Sequence, residues 1–200
     1  MSGPTSSFNE NRALEPLSIE NMICEFLRST CESILKHRNG NLMPVGCDNY
    51  SMADNLNYCQ QCLMSWRKDI LKPLALDLFI YDTATRSLVL MERWKISYQR
   101  SKEFGKEHRH PAVIARRIST LIRTLHCFIR MLPGYCLIKT SKKIFNLSFQ
   151  IYDNRKQESQ PSFMQPVLNY KFPSVSVSKG SISMSINYLP MNTLKVIFPS

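Results

Sequence analysis

The chain has 200 residues, which is room for one domain or for one domain with a short extension. Its hydrophobic fraction of 44% and charged fraction of 20% are those of a folded protein, and they exclude a chain that is disordered throughout. No run approaches about 18 apolar residues, and the first residues lack the apolar core of a signal peptide, so we predict neither a membrane span nor a secretory signal. Seven cysteines at irregular spacings predict reduced thiols rather than a disulfide framework.

The positive charge is concentrated in the middle of the chain. The net charge is +11, and the segment Arg93–Lys143 alone carries 13 basic and 2 acidic side chains. Such a block is typical of a surface that binds a phosphate group, a nucleic acid, an acidic lipid surface or an acidic protein. It is equally typical of a basic face that is only solvated, and charge alone does not separate these alternatives.

The first third of the chain predicts a loose segment followed by two helices. Residues 1–18 are rich in Ser, Asn, Pro and Gly, which predicts a flexible N-terminus. Glu20–Arg38 places its apolar residues at helical spacing on one face, and Asn39-Gly40 is a suitable end. We predict a loop over 39–54 and a short helix over about 55–67.

A β-hairpin is predicted next, because the apolar period changes from about four to two. The strand Leu74–Tyr81 and the strand Leu88–Tyr98 are separated by a turn at 82–86. Strict alternation in the second strand predicts one face made of Leu88, Leu90, Trp94, Ile96 and Tyr98, and an opposite face made of Val89, Met91, Arg93, Lys95 and Ser97.

The basic segment contains the most regular helical pattern of the chain. Pro111 suits a first helical position, and an apolar stripe then runs to Leu132. Arginines recur every seven residues on another face, and Pro133-Gly134 is predicted to stop the helix. The apolar stripe consists of Val113, Ile114, Ile118, Leu121, Ile122, Leu125, Phe128 and Leu132, and the recurring arginines are Arg116, Arg123 and Arg130.

The last part of the chain returns to a period of two. A third strand is predicted over Phe145–Ile151, a linker without clear period over 153–180, a strand over Ser181–Tyr188 and a final strand over Leu194–Phe198. The order of elements predicts an α+β fold with a mainly antiparallel sheet covered by helices. It does not fit a doubly wound nucleotide-binding fold, because βαβ alternation is missing.

No constellation of residues in the sequence favours catalysis. Cys59 and Cys62 have the spacing of a zinc half-site, but His108 and His110, which could complete it, lie in a separate loop whose cations would repel a metal. We expect instead one buried and one exposed thiol on a short helix. His126 and Cys127 are neighbours in sequence and face different sides of a helix. We therefore predict a protein that is not an enzyme and that holds no metal or other cofactor.

Arg93 is the most informative candidate for binding. It is predicted on the face opposite Trp94, where a guanidinium could hold a phosphate, a sulfate or a carboxylate. Pairing with an internal acid such as Asp77 is the alternative, and the spacing does not decide between the two. Because the side chain lies on the face opposite Trp94, we predict that Arg93→Ala leaves the fold intact and weakens the recruitment of a partner. The aromatic residues of this half are expected in the core rather than on a stacking surface, namely Trp94, Tyr98, Phe128, Phe145 and Phe149.

Three segments stand out in order along the chain: Leu88–Tyr98, which contains Glu-Arg-Trp, then the helical run from Ile118 that closes with Arg130–Tyr135, and the Gly-led alternating run Gly180–Tyr188. Together they resemble the N-terminal domain of the autophagy-related protein 13 family, especially its fungal and plant forms. The resemblance implies a HORMA fold over residues 19–200, with a central antiparallel sheet, about three helices and C-terminal safety-belt strands.

The same resemblance implies a function. Members of this family are non-catalytic adaptors of the autophagy-initiation complex around the autophagy-related protein 1 (Unc-51-like) kinase. Implied partners are autophagy-related protein 9 vesicles, the lipid-kinase complex and autophagy-related protein 101. The implied location is the cytoplasm with recruitment to the phagophore assembly site, so that membrane association is indirect and no specific nucleic acid is bound.

The resemblance also implies an anion site. Fungal members are proposed to use two arginines, of which Arg93 matches the first, whereas Leu189 stands at the second position. A basic side chain such as Lys179 or Arg130 could substitute, and Lys95 completes the predicted set. Two alternatives remain open: a basic nucleic-acid-binding module that uses Arg93–Lys143, and a zinc or thiol enzyme that uses Cys59 and Cys62.

Overall fold

The computed structural model describes residues 19–38, 42–46, 52–82, 85–100, 111–140, 146–153, 166–177 and 180–197. The predicted flexible segment 1–18 lies outside this part of the chain. The helices are α1 (Ile19–His37), α2 (Met52–Arg67), α3 (Pro111–Met131), α4 (Pro133–Thr140) and α5 (Met191–Ile197). The strands are β1 (Leu42–Pro44), β2 (Leu74–Asp82), β3 (Ser87–Arg100), β4 (Leu147–Asp153), β5 (Leu168–Lys171), β6 (Val175–Val177) and β7 (Gly180–Tyr188).

The seven strands form one mixed sheet in the order β1-β4-β2-β3-β7-β5, with β6 also paired to β7. All pairs are antiparallel except β1 with β4, so the prediction of a mainly antiparallel sheet is confirmed. Strand β1 was not predicted, because its three residues lie in the expected loop. The buried amide of Asn55 on α2 donates a hydrogen bond to the carbonyl of Leu42 and thereby ties this short strand to the helical layer.

The hairpin of β2 and β3 contains a β-bulge that changes which residues face the core. Leu78 pairs with Glu92 but Phe79 pairs with Leu90, so Met91 is an extra residue on β3. Beyond the bulge, Val89 takes the core-facing position opposite Ile80. The prediction that Leu88 and Leu90 share a face with Trp94 is therefore wrong, because one inserted residue reverses the phase of the rest of the strand.

The core lies between one face of the sheet and the helices. α1 packs against both α2 and α3, and its predicted apolar face is buried. Leu74, Leu76, Leu78 and Ile80 of β2 face these helices, and Trp94 is fully buried among them. Three of the predicted core aromatics, Trp94, Tyr98 and Phe149, are buried as expected, Phe128 is half-buried, and Phe145 lies outside the described residues.

The end of α3 is a bend rather than a stop. α3 ends before Pro133 as predicted, but α4 begins there at an angle of 55° to α3, and this helix was not predicted. Val113, predicted in the apolar stripe of α3, is exposed near its start. Among the described helices none is long and apolar enough by itself to cross a membrane, and the one pair that passes jointly is the bent α3–α4 pair.

The C-terminal part differs most from the prediction. Strands β5 and β6 lie in the segment predicted as a linker, and both pair with β7, which was predicted. The predicted final strand Leu194–Phe198 is wrong, because residues 191–197 form α5. A strand would bury alternate residues, whereas Leu194 is fully buried and Val196 is 80% exposed. The Leu194 amide donates to the Pro190 carbonyl at 3.1 Å. A hydrogen bond to the residue four positions earlier is the pattern of an α-helix.

Candidate functional site

The Glu-Arg-Trp segment of β3 sends its three side chains to two different places. Glu92 and Trp94 face the helices, and Arg93 faces the opposite side of the sheet. Arg38, just beyond α1, is fully buried and forms an ion pair with Glu92, with 2.8 Å between Nη2 and Oε1. The Trp94 indole donates to Glu92 Oε2 at 3.2 Å, and Arg38 also donates to the Ile129 carbonyl of α3. These contacts connect α1, α3 and β3 through one buried charge pair.

Gly134 allows α4 to approach this ion pair. A Cβ atom at this position would lie 2.7 Å from Glu92 Oε1 and 2.9 Å from the Met91 sulfur. Both distances are shorter than a van der Waals contact, and Glu92 is held by Arg38, so it has little freedom to move away. The Pro-Gly sequence at this point therefore starts α4 and also makes space for the Glu92 carboxylate.

Arg93 pairs with Asp77 on the neighbouring strand β2. Its Nε and Nη2 atoms each donate to one carboxylate oxygen of Asp77 at 2.8 Å. Asp77 is fully buried and Arg93 is 8% exposed. The Tyr152 hydroxyl of β4 also donates to Asp77 at 2.9 Å. The hydrogen bonds to Asp77 raise the pKa of Arg93, and burial together with the nearby Asp77 charge raises the pKa of Tyr152.

This arrangement is the internal pairing that the sequence left open. Because Asp77 occupies the fork of the guanidinium, Arg93 has a structural role, and Arg93→Ala is not expected to leave the fold intact. Leu189, at the second arginine position of the implied anion site, is buried in the core, and its amide donates to the Met91 carbonyl at 3.0 Å. A role of Arg93 in binding an anion stays a prediction.

Lys95 lies two residues further along the same face of β3. It is half-buried and pairs across the sheet with Ser185 of β7, which in turn pairs with Lys171 of β5. Ser97 and Ser183 form the next row, with 2.7 Å between their hydroxyl oxygens. These residues line a groove of about 550 Å³ on the face of the sheet opposite the helices.

Arg130 lies in a separate place, at the end of α3. It is exposed, and its Nε atom donates to His37 Nε2 at 3.4 Å, while His37 Nδ1 donates to the Ser33 carbonyl at 2.7 Å. The His126 ring lies 5.5 Å from the His37 ring and approaches the Ser33 hydroxyl at 3.2 Å. Burial, and then the nearby His37 and Arg130, lower the pKa of His126. This group of basic side chains joins α1 to α3.

The three predicted site residues that the structure describes lie in two places. Arg93 and Lys95 share one face of β3, Arg130 belongs to the helical layer, and Lys179 lies outside the described residues. Arg130 contacts His37 and Arg93 contacts Asp77, so the replacement of the second arginine by Arg130 or Lys179 stays a prediction.

Cys31 of α1 and Cys59 and Cys62 of α2 lie where these two helices pack, whereas Cys127 and Cys136 belong to α3 and α4. Cys59 is buried and Cys62 is half-buried on α2, close to the predicted pattern of one buried and one exposed thiol. Burial raises the pKa of Cys31 to about 12 and also raises the pKa values of Cys59 and Cys62. No group of three or more metal-ligating side chains occurs among the residues that the structure describes, and His108 and His110 are not among them.

Comparisons with known proteins decide the family. The family model described as autophagy-related protein 13 matches residues 5–192. The chain belongs to the autophagy-related protein 13 family. No curated protein sequence matches it significantly. Membership of this family supports an autophagy-related, protein-binding adaptor role.

Solved structures agree on the fold. An Atg13 HORMA domain matches with a TM-score of 0.52 and 15% identity, covering 85% of this chain and 91% of that one. A chain of the mitotic checkpoint complex matches with a TM-score of 0.57 and 14% identity, covering 85% and 98%. C. elegans HTP-2 bound to a HIM-3 closure motif matches with a TM-score of 0.55 and 9% identity, covering 88% and 93%. The predicted α+β HORMA fold is confirmed, with five described helices rather than about three.

Two features of this family member were missed by sequence reasoning. The buried Arg38–Glu92 pair was not predicted, because charged residues are mostly exposed and a sequence-based prediction assigns them to the surface. The available signal was the position of Glu92, a charged residue directly after the fully apolar run Leu88–Met91. Lys171 was missed because β5 was assigned to a linker, and its four residues are too few to define a period.

Proposed function

We propose that this chain is a non-catalytic adaptor of the autophagy-initiation complex around the autophagy-related protein 1 (Unc-51-like) kinase. The observation that carries the proposal is the family match over residues 5–192 together with a HORMA sheet. The proposed partners are autophagy-related protein 101, autophagy-related protein 9 and the lipid-kinase complex. The proposed location is the cytoplasm with recruitment to the phagophore assembly site.

The C-terminal side of the sheet supports a mode of binding. β5 is the last strand in the sheet order, and its outer edge pairs with no other described strand. Its residues are exposed, including the apolar Leu168 at 49% and Tyr170, whose ring stacks on Phe128 with 4.3 Å between centroids. An extended segment of a partner can add to such an edge through main-chain hydrogen bonds. HTP-2, a protein of the same fold, is bound to a closure motif.

The test is direct binding to purified partners. The full 200-residue chain is mixed with autophagy-related protein 101, with a cytosolic segment of autophagy-related protein 9 or with the lipid-kinase complex, and the mixtures are followed by size-exclusion chromatography. We expect at least one partner to co-elute. Leu168→Lys should weaken that complex, because a charged side chain on an edge strand opposes strand addition.

Val196→Lys is the matched control, since Val196 is the most exposed large apolar residue in the described ranges and lies on α5. It should leave binding unchanged. Absence of co-elution with all three partners would contradict the adaptor proposal. Binding that Leu168→Lys and Val196→Lys affect equally would keep the adaptor function but exclude the β5 edge.

One observation favours a second candidate, a nucleic-acid-binding module. α3 contains no acidic residue, and Arg116, Arg123 and Arg130 are all exposed along it. Seven residues of helix rise by about 10 Å, so the three arginines form a line on one side. This candidate predicts affinity for random RNA that falls steeply with salt and is lost in Arg116→Gln with Arg123→Gln. The adaptor proposal predicts only weak retention of RNA, and it predicts that the two arginine substitutions leave partner binding unchanged.

A further inference from the structure

The groove on the polar face of the sheet has the features of a binding site for negative charge. It has a volume of about 550 Å³, and its described lining contains two lysines, four serines and no acidic residue. The lysines are Lys95 of β3 and Lys171 of β5, and three of the serines are Ser97, Ser183 and Ser185. We propose that this groove binds an acidic segment of a partner protein, with Lys95 and Lys171 each holding an anionic group of that segment.

The strand register places the two lysines on either side of one serine. Lys95 pairs with Ser185, and Ser185 pairs with Lys171, so all three side chains leave the same face in one row. Neighbouring strands lie about 4.8 Å apart, which puts the two lysine Cα atoms about 10 Å from each other. Two lysine side chains that extend towards each other cover this distance, so both ammonium groups can reach a ligand that lies over Ser185.

The positive charge of the groove is not compensated by any side chain in the part of the chain that the structure describes. Neither Lys95 nor Lys171 forms an ion pair with any residue in the described ranges. Asp77, an acid in the neighbouring row of the same face, is paired with Arg93. Among the described residues, the two lysines are therefore cations without an acidic partner.

The walls of the groove favour a protein segment over other anions. Leu71 and Pro73, which precede β2, line it beside the lysines, and Leu71 is 49% exposed. An acidic peptide brings apolar side chains and carboxylates together, whereas a lipid headgroup or a nucleic-acid backbone offers mainly oxyanions. The groove also borders β5, the edge strand at which the proposed function places partner binding. This inference therefore deepens the proposed function and rests on it.

The test uses short synthetic peptides and an NMR titration of the ¹⁵N-labelled chain. One peptide alternates Glu with Leu, a second has Gln in place of every Glu, and a third has phosphoserine in place of the central Glu. We expect the Glu peptide to shift amide signals of β3, β5 and β7 around Lys95, Ser185 and Lys171. The Gln peptide should bind at least about fivefold more weakly.

Charge-neutral variants identify the residues responsible. Lys171→Gln alone should weaken binding of the Glu peptide about three- to fivefold, and Lys95→Gln with Lys171→Gln about tenfold or more. Lys195→Gln, an exposed lysine on α5, should change nothing and is the matched control. Lys171 is fully on the surface, so its variant keeps the test valid even if Lys95→Gln alters the fold, which thermal unfolding of each variant checks.

Each outcome decides the inference. Equal binding of the Glu and Gln peptides, or equal affinity of Lys171→Gln and the unchanged chain, would overturn it. Stronger shifts of the same amides by phosphatidylserine vesicles than by either acidic peptide would also overturn it, in favour of a lipid ligand. Tighter binding of the phosphoserine peptide than of the Glu peptide would support it and assign the anion as a phosphate. If none of these peptides binds while size-exclusion chromatography still shows a complex with a partner, the groove is excluded as the binding site and the adaptor function stands.

Discussion

Replacing Arg93 tests whether the second residue of the Glu-Arg-Trp segment is structural. Arg93→Ala removes two hydrogen bonds of 2.8 Å to Asp77 and leaves that carboxylate fully buried, with the Tyr152 hydroxyl as its remaining donor among the contacts described above. Breaking a buried ion pair by removal of one partner costs about 3–5 kcal/mol. A domain of this kind is stable by about 5–15 kcal/mol, so the loss is a large part of the total.

The assay is urea unfolding at neutral pH, followed by circular dichroism, with the free energy of unfolding taken from linear extrapolation. We expect a loss of about 3 kcal/mol for Arg93→Ala, the lower end of that range because Tyr152 still donates to Asp77. Asp77→Leu combined with Arg93→Leu should lose much less than the sum of the single variants, because no unpaired charge is then buried.

The reasoning is refuted if Arg93→Ala loses less than about 1 kcal/mol, which is the range of an exposed ion pair. Additive losses in the double variant would also refute it, since they would mean that the two side chains do not interact.

Three further predictions concern other contacts of the fold. Arg38→Met should lower the free energy of unfolding by about 3–5 kcal/mol in the same urea assay, because it leaves Glu92 charged and buried without its cation. Gly180→Ala should lower the melting temperature by several degrees, since a Cβ atom would lie 2.1 Å from the Gln99 carbonyl oxygen and β7 would have to shift; an unchanged melting curve would contradict that contact. His126 should make stability fall as the pH drops below about 6.5, because its pKa is lowered in the folded state and the unfolded chain then binds more protons. That part of the pH dependence should vanish in His126→Gln, as measured by melting curves between pH 7 and pH 5.

The regular elements with one apolar face could be predicted from the sequence. α1, α3, β2 and β7 each carry an uninterrupted period, and these elements, like β3, were found within a few residues of their predicted bounds. The phase of β3 could not be predicted, because Leu88–Met91 is apolar at every position and hides the bulge. Short elements were lost for a similar reason, since three or four residues such as those of β1 and β6 do not define a period.

The candidate site was predicted in part. The face of Arg93 and Lys95 followed correctly from alternation, because both residues follow the bulge at Met91, in the part of β3 whose pairing with β2 is regular. Their neighbours did not follow, since the partners Asp77, Ser185 and Lys171 come from strands whose pairing order is a property of the whole sheet. Arg130 recurred at the same spacing as Arg116 and Arg123, yet it contacts His37, which lies 93 residues away.

The most direct test of the adaptor function is hydrogen–deuterium exchange on the chain alone and in complex with the partner that co-elutes with it. Our account predicts slower exchange on binding in β5 and in the β3 and β7 amides around Lys95 and Ser185, with α3 unchanged. Slower exchange confined to α3, or no change in any described strand, would contradict it.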